Sequence, residues 1–230
     1  MEKQAIIFGS IGTIVETSEF QRDAFNKAFE EAGLNWHWDQ PEYAELLKKS
    51  GGRQRIEDYA EARGENVNAM ALHERKTELF DRAIVETGLS PRKGVMPLVR
   101  WAKQNDMKLG FATSTSRNNI EAIFLALDDA LHRSSFDFVG DVEMITNPKP
   151  DPEIYQVALA ELDVPADKCL AIEDTGIALK SALAANIECV GFPNLYAQPD
   201  DFEGALRIVD RVDPHYLPLV DGDKSMRVAI

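Results

Sequence analysis

The sequence predicts an α/β protein, a doubly wound parallel sheet with an α-helical cap domain inserted after the first strand. Three observations carry that expectation. Short apolar runs alternate with amphipathic stretches over most of the chain, as strands buried on both faces alternate with crossover helices. From Ser18 to about Gly88 the alternation stops and no strand is legible. The 230 residues, 44% of them hydrophobic, suffice for one large domain or two small ones with a proper core. The chain therefore divides into an α/β core, residues 1–16 and 89–230, and a cap, residues 17–88.

Ala5–Phe8 is the first strand candidate, an apolar run too short for a secretory signal and better read as buried. Val15–Thr17 is the first hinge. Ser18 and Gln21 have capping-box spacing. Phe20, Ala24, Phe25, Ala28, Phe29 and Ala32 then make a helical stripe, and Gly33 ends it. Pro41–Lys49, Gln54–Arg63 and Asn66–Glu86 read as further cap helices, with Thr87–Lys93 as the return hinge. Beyond it, helices at Pro97–Gln104, Asn118–Leu127, Pro152–Leu162 and Ala178–Ala185 alternate with strands at Lys108–Thr113, Phe136–Val139, Leu170–Ile172 and Cys189–Phe192. In such a sheet, ligands bind at the strand C-termini.

Charge narrows the partners. At a net charge of −14 the surface repels phosphate backbones and anionic lipid, which discounts nucleic acid and membranes. A small anionic ligand stays open, because a pocket can be locally positive. No apolar run approaches the roughly 20 residues that span a bilayer. Cys169 and Cys189 form no disulfide framework or metal pattern and read as reduced core thiols of a cytoplasmic protein. His37, His73, His132 and His215 show no ligand spacing, and no role is assigned to them.

Four segments carry chemistry, three after strands and one in a loop before a helix. Phe8-Gly9-Ser10-Ile11-Gly12-Thr13-Ile14-Val15-Glu16-Thr17 follows the first strand. Thr113-Ser114-Thr115-Ser116 ends another. Asn147-Pro148-Lys149-Pro150-Asp151-Pro152 sets a lysine in a proline-stiffened loop before a helix. Ile172-Glu173-Asp174-Thr175 places two acids at a strand end. In order and context these resemble the four motifs of the haloacid dehalogenase (HAD) superfamily, over nearly the whole chain. Its phosphatases read D-x-D-G-T-L-V-D/E-T in the first motif. Gly12, Thr13 and Glu16 fit; Gly9 and Ile11 stand where the nucleophilic and acid–base aspartates belong. Cap residues Leu34-Asn35-Trp36-His37-Trp38, Tyr43, Ser50-Gly51-Gly52-Arg53-Gln54-Arg55-Ile56 and Lys76-Thr77 are similar to the CbbY and β-phosphoglucomutase group of sugar-phosphate enzymes.

The resemblance implies an aspartyl phosphate made by the first aspartate, a second aspartate as acid and then base, and Mg²⁺ to offset the meeting anions. Gly9 has no side chain to attack with, and Ile11 has no proton to give. Ser10 is no evident substitute, because neighbouring side chains of an extended segment point apart and no adjacent base is in view. What the resemblance leaves intact is a phosphate cradle: backbone N–H groups around Ser10 and Ile11, the Thr113 hydroxyl, Ser114 and Lys149. Glu16, Tyr43, Gly51, Gly52, Arg53, Lys76 and Arg117 would face a phosphosugar. Glu173 and Asp174 would hold Mg²⁺, weakly. Trp36, Trp38 and Tyr43 read as cap packing before sugar stacking.

The expected function is a phosphosugar- or phosphate-binding homologue with little or no phosphatase activity. The rivals are a Mg²⁺-dependent sugar-phosphate phosphatase working by an altered route and a non-catalytic interaction protein. Oligomeric state is open. If the scaffold is intact and only two side chains are gone, Gly9→Asp with Ile11→Asp should restore Mg²⁺ binding and some activity.

Overall fold

The computed structural model describes residues 2–49 and 51–219. Six parallel strands form one sheet in the order β3-β2-β1-β4-β5-β6: β1 (Ala5–Phe8), β2 (Lys108–Ala112), β3 (Phe138–Gly140), β4 (Cys169–Glu173), β5 (Glu188–Gly191) and β6 (Arg207–Ile208). The four residues of β1 and all five of β4 are buried, as central strands covered on both faces must be. β1 pairs with β2 on one side and β4 on the other, so Phe8 lies beside Phe111 and Ile172. The strand order reverses at β1, and the crevice beyond these strand ends is where such sheets bind ligands.

A single helical turn, α1 (Ile11–Ile14), follows β1. Then come the inserted helices α2 (Ser18–Glu31), α3 (Gln40–Leu46), α4 (Gly52–Arg63) and α5 (Ala69–Thr87). α2 buries Ala24, Phe25, Ala28 and Phe29, the stripe its periodicity announces. The expected capping box is not formed. Ser18 is the first helical residue, its N–H is taken by the Glu16 carboxylate at 2.9 Å, and Gln21 turns away to Lys76. Asp39 does cap α3 through Glu42 N–H, and Asn68 caps α5 through Ala71 N–H. The insertion has its own core, in which Trp38 lies 4.7 Å from Phe29 and 4.8 Å from Phe25, with Trp36 against Phe29 at 5.2 Å. Trp36 and Trp38 are thus packing residues.

The chain leaves and re-enters the sheet region side by side, Val15 bridging Pro91. Arg92 pins this crossing. Its guanidinium donates to the carbonyls of Gly12 (2.5 Å), Phe192 (2.9 Å) and Pro193 (2.6 Å), and stacks on the Phe192 ring at 3.5 Å. The remaining helices are α6 (Val95–Gln104), α7 (Arg117–Leu127), α8 (Glu153–Leu162) and α9 (Gly176–Ala184). Cys169 and Cys189 are free and buried. Among the described residues no helix is long and apolar enough to cross a membrane.

Candidate functional site

A cavity of about 650 Å³ lies between the ends of β1, β2 and β4 and the inserted helices. Its floor is built from the motif residues. Ser10 follows β1, Thr113 follows β2, Asp174 follows β4, and Lys149 reaches in from the loop before α8.

The position expected for the nucleophile is filled from behind. Glu173, the last residue of β4, is fully buried and turns its carboxylate towards Gly9. The Lys149 ammonium donates to Glu173 Oε1 at 2.5 Å and also to the Gly9 carbonyl. The Tyr155 hydroxyl, on α8, donates to the same Oε1 at 2.5 Å. A Cβ added at residue 9 would overlap both Glu173 Oε1 and the Tyr155 hydroxyl. Lys149 therefore has a carboxylate partner, but that carboxylate comes from β4. Burial pushes the Glu173 carboxyl above its usual range, with the Lys149 charge opposing the rise. Burial, and then the nearby Glu173 charge, raises the Tyr155 phenol well above its ordinary value and keeps it a donor.

Ser10 differs from expectation. Its hydroxyl lies within hydrogen-bond distance of Asp174 Oδ1 and 2.8 Å from Glu173 Oε2, so two potential bases adjoin it. The extended-strand argument fails because Ser10 stands past the end of β1, where α1 begins. Asn194, after β5, donates to Asp174 Oδ2 at 3.0 Å. Thr113 is buried and lines the cavity beside Ser114.

Mg²⁺ is the ion that the sequence resemblance implies, and the residues present fit it poorly. Among the described residues no three acidic, histidine or cysteine side chains gather in ligand geometry. Glu173 is held by Lys149 and Tyr155, and Asp174 by Ser10 and Asn194. A site that supplies so few free carboxylate oxygens is a weak magnesium ligand.

Tyr43, Gly51, Gly52, Arg53 and Lys76 all line the cap side of the cavity; Ser50, between them in sequence, lies outside the described residues. Two residues expected to face the ligand have other partners. Glu16 ties the hinge to the loop after β5, accepting from Ser18 N–H and Leu195 N–H at 2.9 Å each. Arg117 pairs with Asp141 at 3.2 Å and does not line the cavity.

Among the lining cations, Arg55 and Lys76 are buried and make no ion pair among the described residues. Arg55 donates to the Leu46 and Lys49 carbonyls at 2.9 Å each, and Lys76 to Gln21 while facing the Phe25 and Phe80 rings. Burial, with Arg55 adding to it, lowers the Lys76 ammonium to about 7. His73, given no role from sequence, is in the same wall, and burial followed by Lys76 and Arg55 depresses it to about 4. A cationic wall inside an acidic protein is the local reversal of sign that net charge left open. Tyr155, Asn194 and Arg92 were not legible as site residues, since none sits in a motif. Only the fold brings them to it.

A doubly wound sheet with a helical insertion after its first strand, and these four segments around the cavity floor, defines a hydrolase class. The chain belongs to the haloacid dehalogenase-like hydrolases, whose family model matches residues 3–186. Within it the chain is similar to the CbbY proteins. It is 36% identical over 210 residues to Protein CbbY of Cereibacter sphaeroides, covering 90% of this chain and 91% of that one. It is 38% identical over 220 residues to the plasmid-borne Protein CbbY of Cupriavidus necator, covering 92% and 87%. The crystal structure of CbbY from Rhodobacter sphaeroides in complex with phosphate superposes with a TM-score of 0.83 at 36% identity, covering 92% of this chain and 95% of that one. At 23% identity and a TM-score of 0.74, a β-phosphoglucomutase from Clostridium difficile shares the fold.

Proposed function

We propose that this protein binds a phosphorylated sugar, or phosphate itself, and hydrolyses it little or not at all. The observation that carries the reading is the filled nucleophile position. Glu173 and Tyr155 occupy the volume next to Gly9, and Lys149 is neutralised by Glu173. An attacking carboxylate has neither a side chain to come from nor room to stand in. Ile11 supplies no acid. The pocket above that point persists, with Thr113, Ser114 and Lys149 on its floor and Arg53, Arg55 and Lys76 on its wall. The cationic wall suits one anionic group of the ligand, and the floor of Thr113 and Lys149 suits a second. The related CbbY from Rhodobacter sphaeroides has been solved, as an aspartate-to-asparagine mutant, with xylulose-(1,5)bisphosphate.

In this reading Thr113 and Lys149 contact one phosphoryl group, with Ser10 and Ile11 backbone beside it, and Tyr43, Gly51 and Gly52 border the sugar. Mg²⁺ binds weakly at Asp174 and Glu173. Sulfate and phosphate raise the melting temperature by linkage. Thr113→Val reduces that rise by at least half, a result read by differential scanning fluorimetry; an undiminished rise would place the anion elsewhere.

A pH series separates the wall from the floor. The groups facing Lys76 are Gln21 and the Phe25 ring on α2, Arg55 on α4, and His73, Phe80 and Asp81 on α5. With Lys76 at about 7 and His73 at about 4, Lys76 is the wall group that gains charge between about pH 8 and pH 6. Sulfate, whose own charge is constant there, should bind more tightly as pH falls through that window, with proton uptake. Lys76→Met flattens the profile. The stability effect has the opposite sense. A lysine lowered from 10.5 to about 7 binds fewer protons folded than unfolded between those values, so stability rises with pH across that window. The penalty is complete below 7. Lys76→Met should therefore stabilise most at neutral and lower pH and least near pH 10. Urea titrations at several pH values read this difference.

One observation favours the altered-route phosphatase. Ser10 Oγ lies against two carboxylates. If Ser10 is a nucleophile, Mg²⁺-dependent turnover on the order of 1 s⁻¹ must appear with a phosphosugar and vanish in Ser10→Ala. Our reading expects no such turnover in either protein.

A further inference from the structure

We propose that the segment Asn194-Leu195-Tyr196, after β5, is a strap that ties the inserted helices to the sheet and sets the rate at which ligand enters and leaves the cavity. The base of the insertion is packed into the core of the sheet. Ala24 and Ala28 of α2 and Phe80 and Ile84 of α5 share one buried cluster with Phe8, Phe111 and Ile172. The far part of the insertion, built on the rings around Trp38, is a second cluster. Among the described residues of that second cluster, Tyr196 is the one from outside residues 17–88. Its ring meets the Tyr43 ring edge-on at 5.5 Å, and its hydroxyl donates to Glu19 Oε1 in the first turn of α2.

The other end of the strap is fixed at the cavity floor, where Asn194 is a lining residue. Its Nδ2 donates to Asp174 Oδ2 at 3.0 Å, and its Oδ1 accepts from Tyr196 N–H and Ala197 N–H at 3.0 Å each. One amide thus holds both the floor carboxylate and the turn that presents Tyr196. In the middle, Leu195 N–H donates to Glu16 at 2.9 Å, and Glu16 also accepts from Ser18 N–H beside the first hinge. Burial, and then the hydrogen bond to Glu19, push the Tyr196 phenol up to about 12, so it remains a donor over the ordinary pH range. A helical insertion joined to a sheet by two short linkers can swing about its packed base, and a tie at its far side opposes that swing. A hydrogen bond and an aromatic edge contact are each worth about three- to tenfold in an equilibrium. Together they hold the cap down and still release it on the timescale of hinge motion.

A strap fastened in both the free and the bound protein has its own kinetic signature: loosening it speeds entry and exit alike. Stopped-flow fluorescence on the full chain with xylulose-1,5-bisphosphate reads both rates. Tyr196→Phe, which keeps the ring, should raise association and dissociation each about three- to tenfold, and Tyr196→Ala should raise them about tenfold or more. The dissociation constant should change by less than about threefold in either variant. Glu19→Ala should give the same rise as Tyr196→Phe from the cap side, and the two combined no more than either alone. A residue that merely touches the ligand raises dissociation alone and weakens binding. A second readout needs no ligand. Cys169 and Cys189 are buried, so a cysteine placed on the cavity wall by Ile177→Cys is the thiol that a bulky maleimide reaches when the cap swings. Adding Tyr196→Phe should speed that labelling by the same factor as it speeds association. Unchanged labelling, or a rise in dissociation alone, overturns the strap. If the native protein binds no bisphosphate, the phosphosugar reading falls, and the labelling rates alone decide the strap.

Discussion

Gly9→Asp should destabilise the fold by about 3–5 kcal/mol and restore no hydrolysis. The first atom of the new side chain meets Glu173 Oε1 and the Tyr155 hydroxyl, so the insertion over-packs a close-packed floor. It also buries a second carboxylate beside Glu173, with Lys149 as the ammonium that contacts both Glu173 and the Gly9 carbonyl. This revises the sequence expectation that Gly9→Asp with Ile11→Asp would suffice. The missing side chain has been replaced in space by a residue of another strand. The variant that makes room is Gly9→Asp combined with Glu173→Ala and Tyr155→Phe. It removes one carboxylate for the one it adds and leaves Lys149 a partner. Urea unfolding should show it recovering most of the loss, by a coupling of about 2 kcal/mol or more, within the range that contacting residues show. If Gly9→Asp alone unfolds like the native protein, the position is open and the floor is not as described.

The second large effect is expected at the ion pair. Lys149→Met leaves the fully buried Glu173 with Tyr155 and Ser10 as neutral donors and no counter-charge. Removing one member of a buried pair costs about 3–5 kcal/mol, whereas replacing both by apolar side chains is often near neutral. Lys149→Met with Glu173→Leu should accordingly be more stable than Lys149→Met alone. Chemical denaturation at neutral pH measures all three proteins. A Lys149→Met variant within about 0.5 kcal/mol of native, the scale of an ordinary surface substitution, would mean that Lys149 is not the counter-ion of Glu173.

The strands of the central sheet were legible because each is a short apolar run between polar breaks, and β1 falls at Ala5–Phe8 as read. β6, Arg207–Ile208, was not, since two residues are too few to show a period. Most helix limits shifted by one to three residues, as at α6, which begins at Val95 and runs through Pro97 near its start, where the missing N–H is harmless. The capping box at Ser18 failed because the neighbouring Glu16 carboxylate reaches the same N–H. Motif spacing brought Thr113, Lys149 and Asp174 to the cavity, because the first, second and fourth motifs end strands of one parallel sheet and the third is the loop before α8. It could not show that Glu173 turns into the volume beside Gly9. That depends on a side chain absent 164 positions earlier and on Tyr155, whose position in the sequence advertises only a core helix.

The most direct test of a binding site without its chemistry is ³¹P NMR of the protein at stoichiometric concentration with xylulose-1,5-bisphosphate and millimolar Mg²⁺. Both phosphorus resonances should shift or broaden on binding, and no inorganic phosphate should accumulate over hours. Steady release of inorganic phosphate on the order of 1 s⁻¹, absent from a Thr113→Val control, would show that the floor of Lys149, Glu173 and Tyr155 still permits hydrolysis, and would contradict the proposed function.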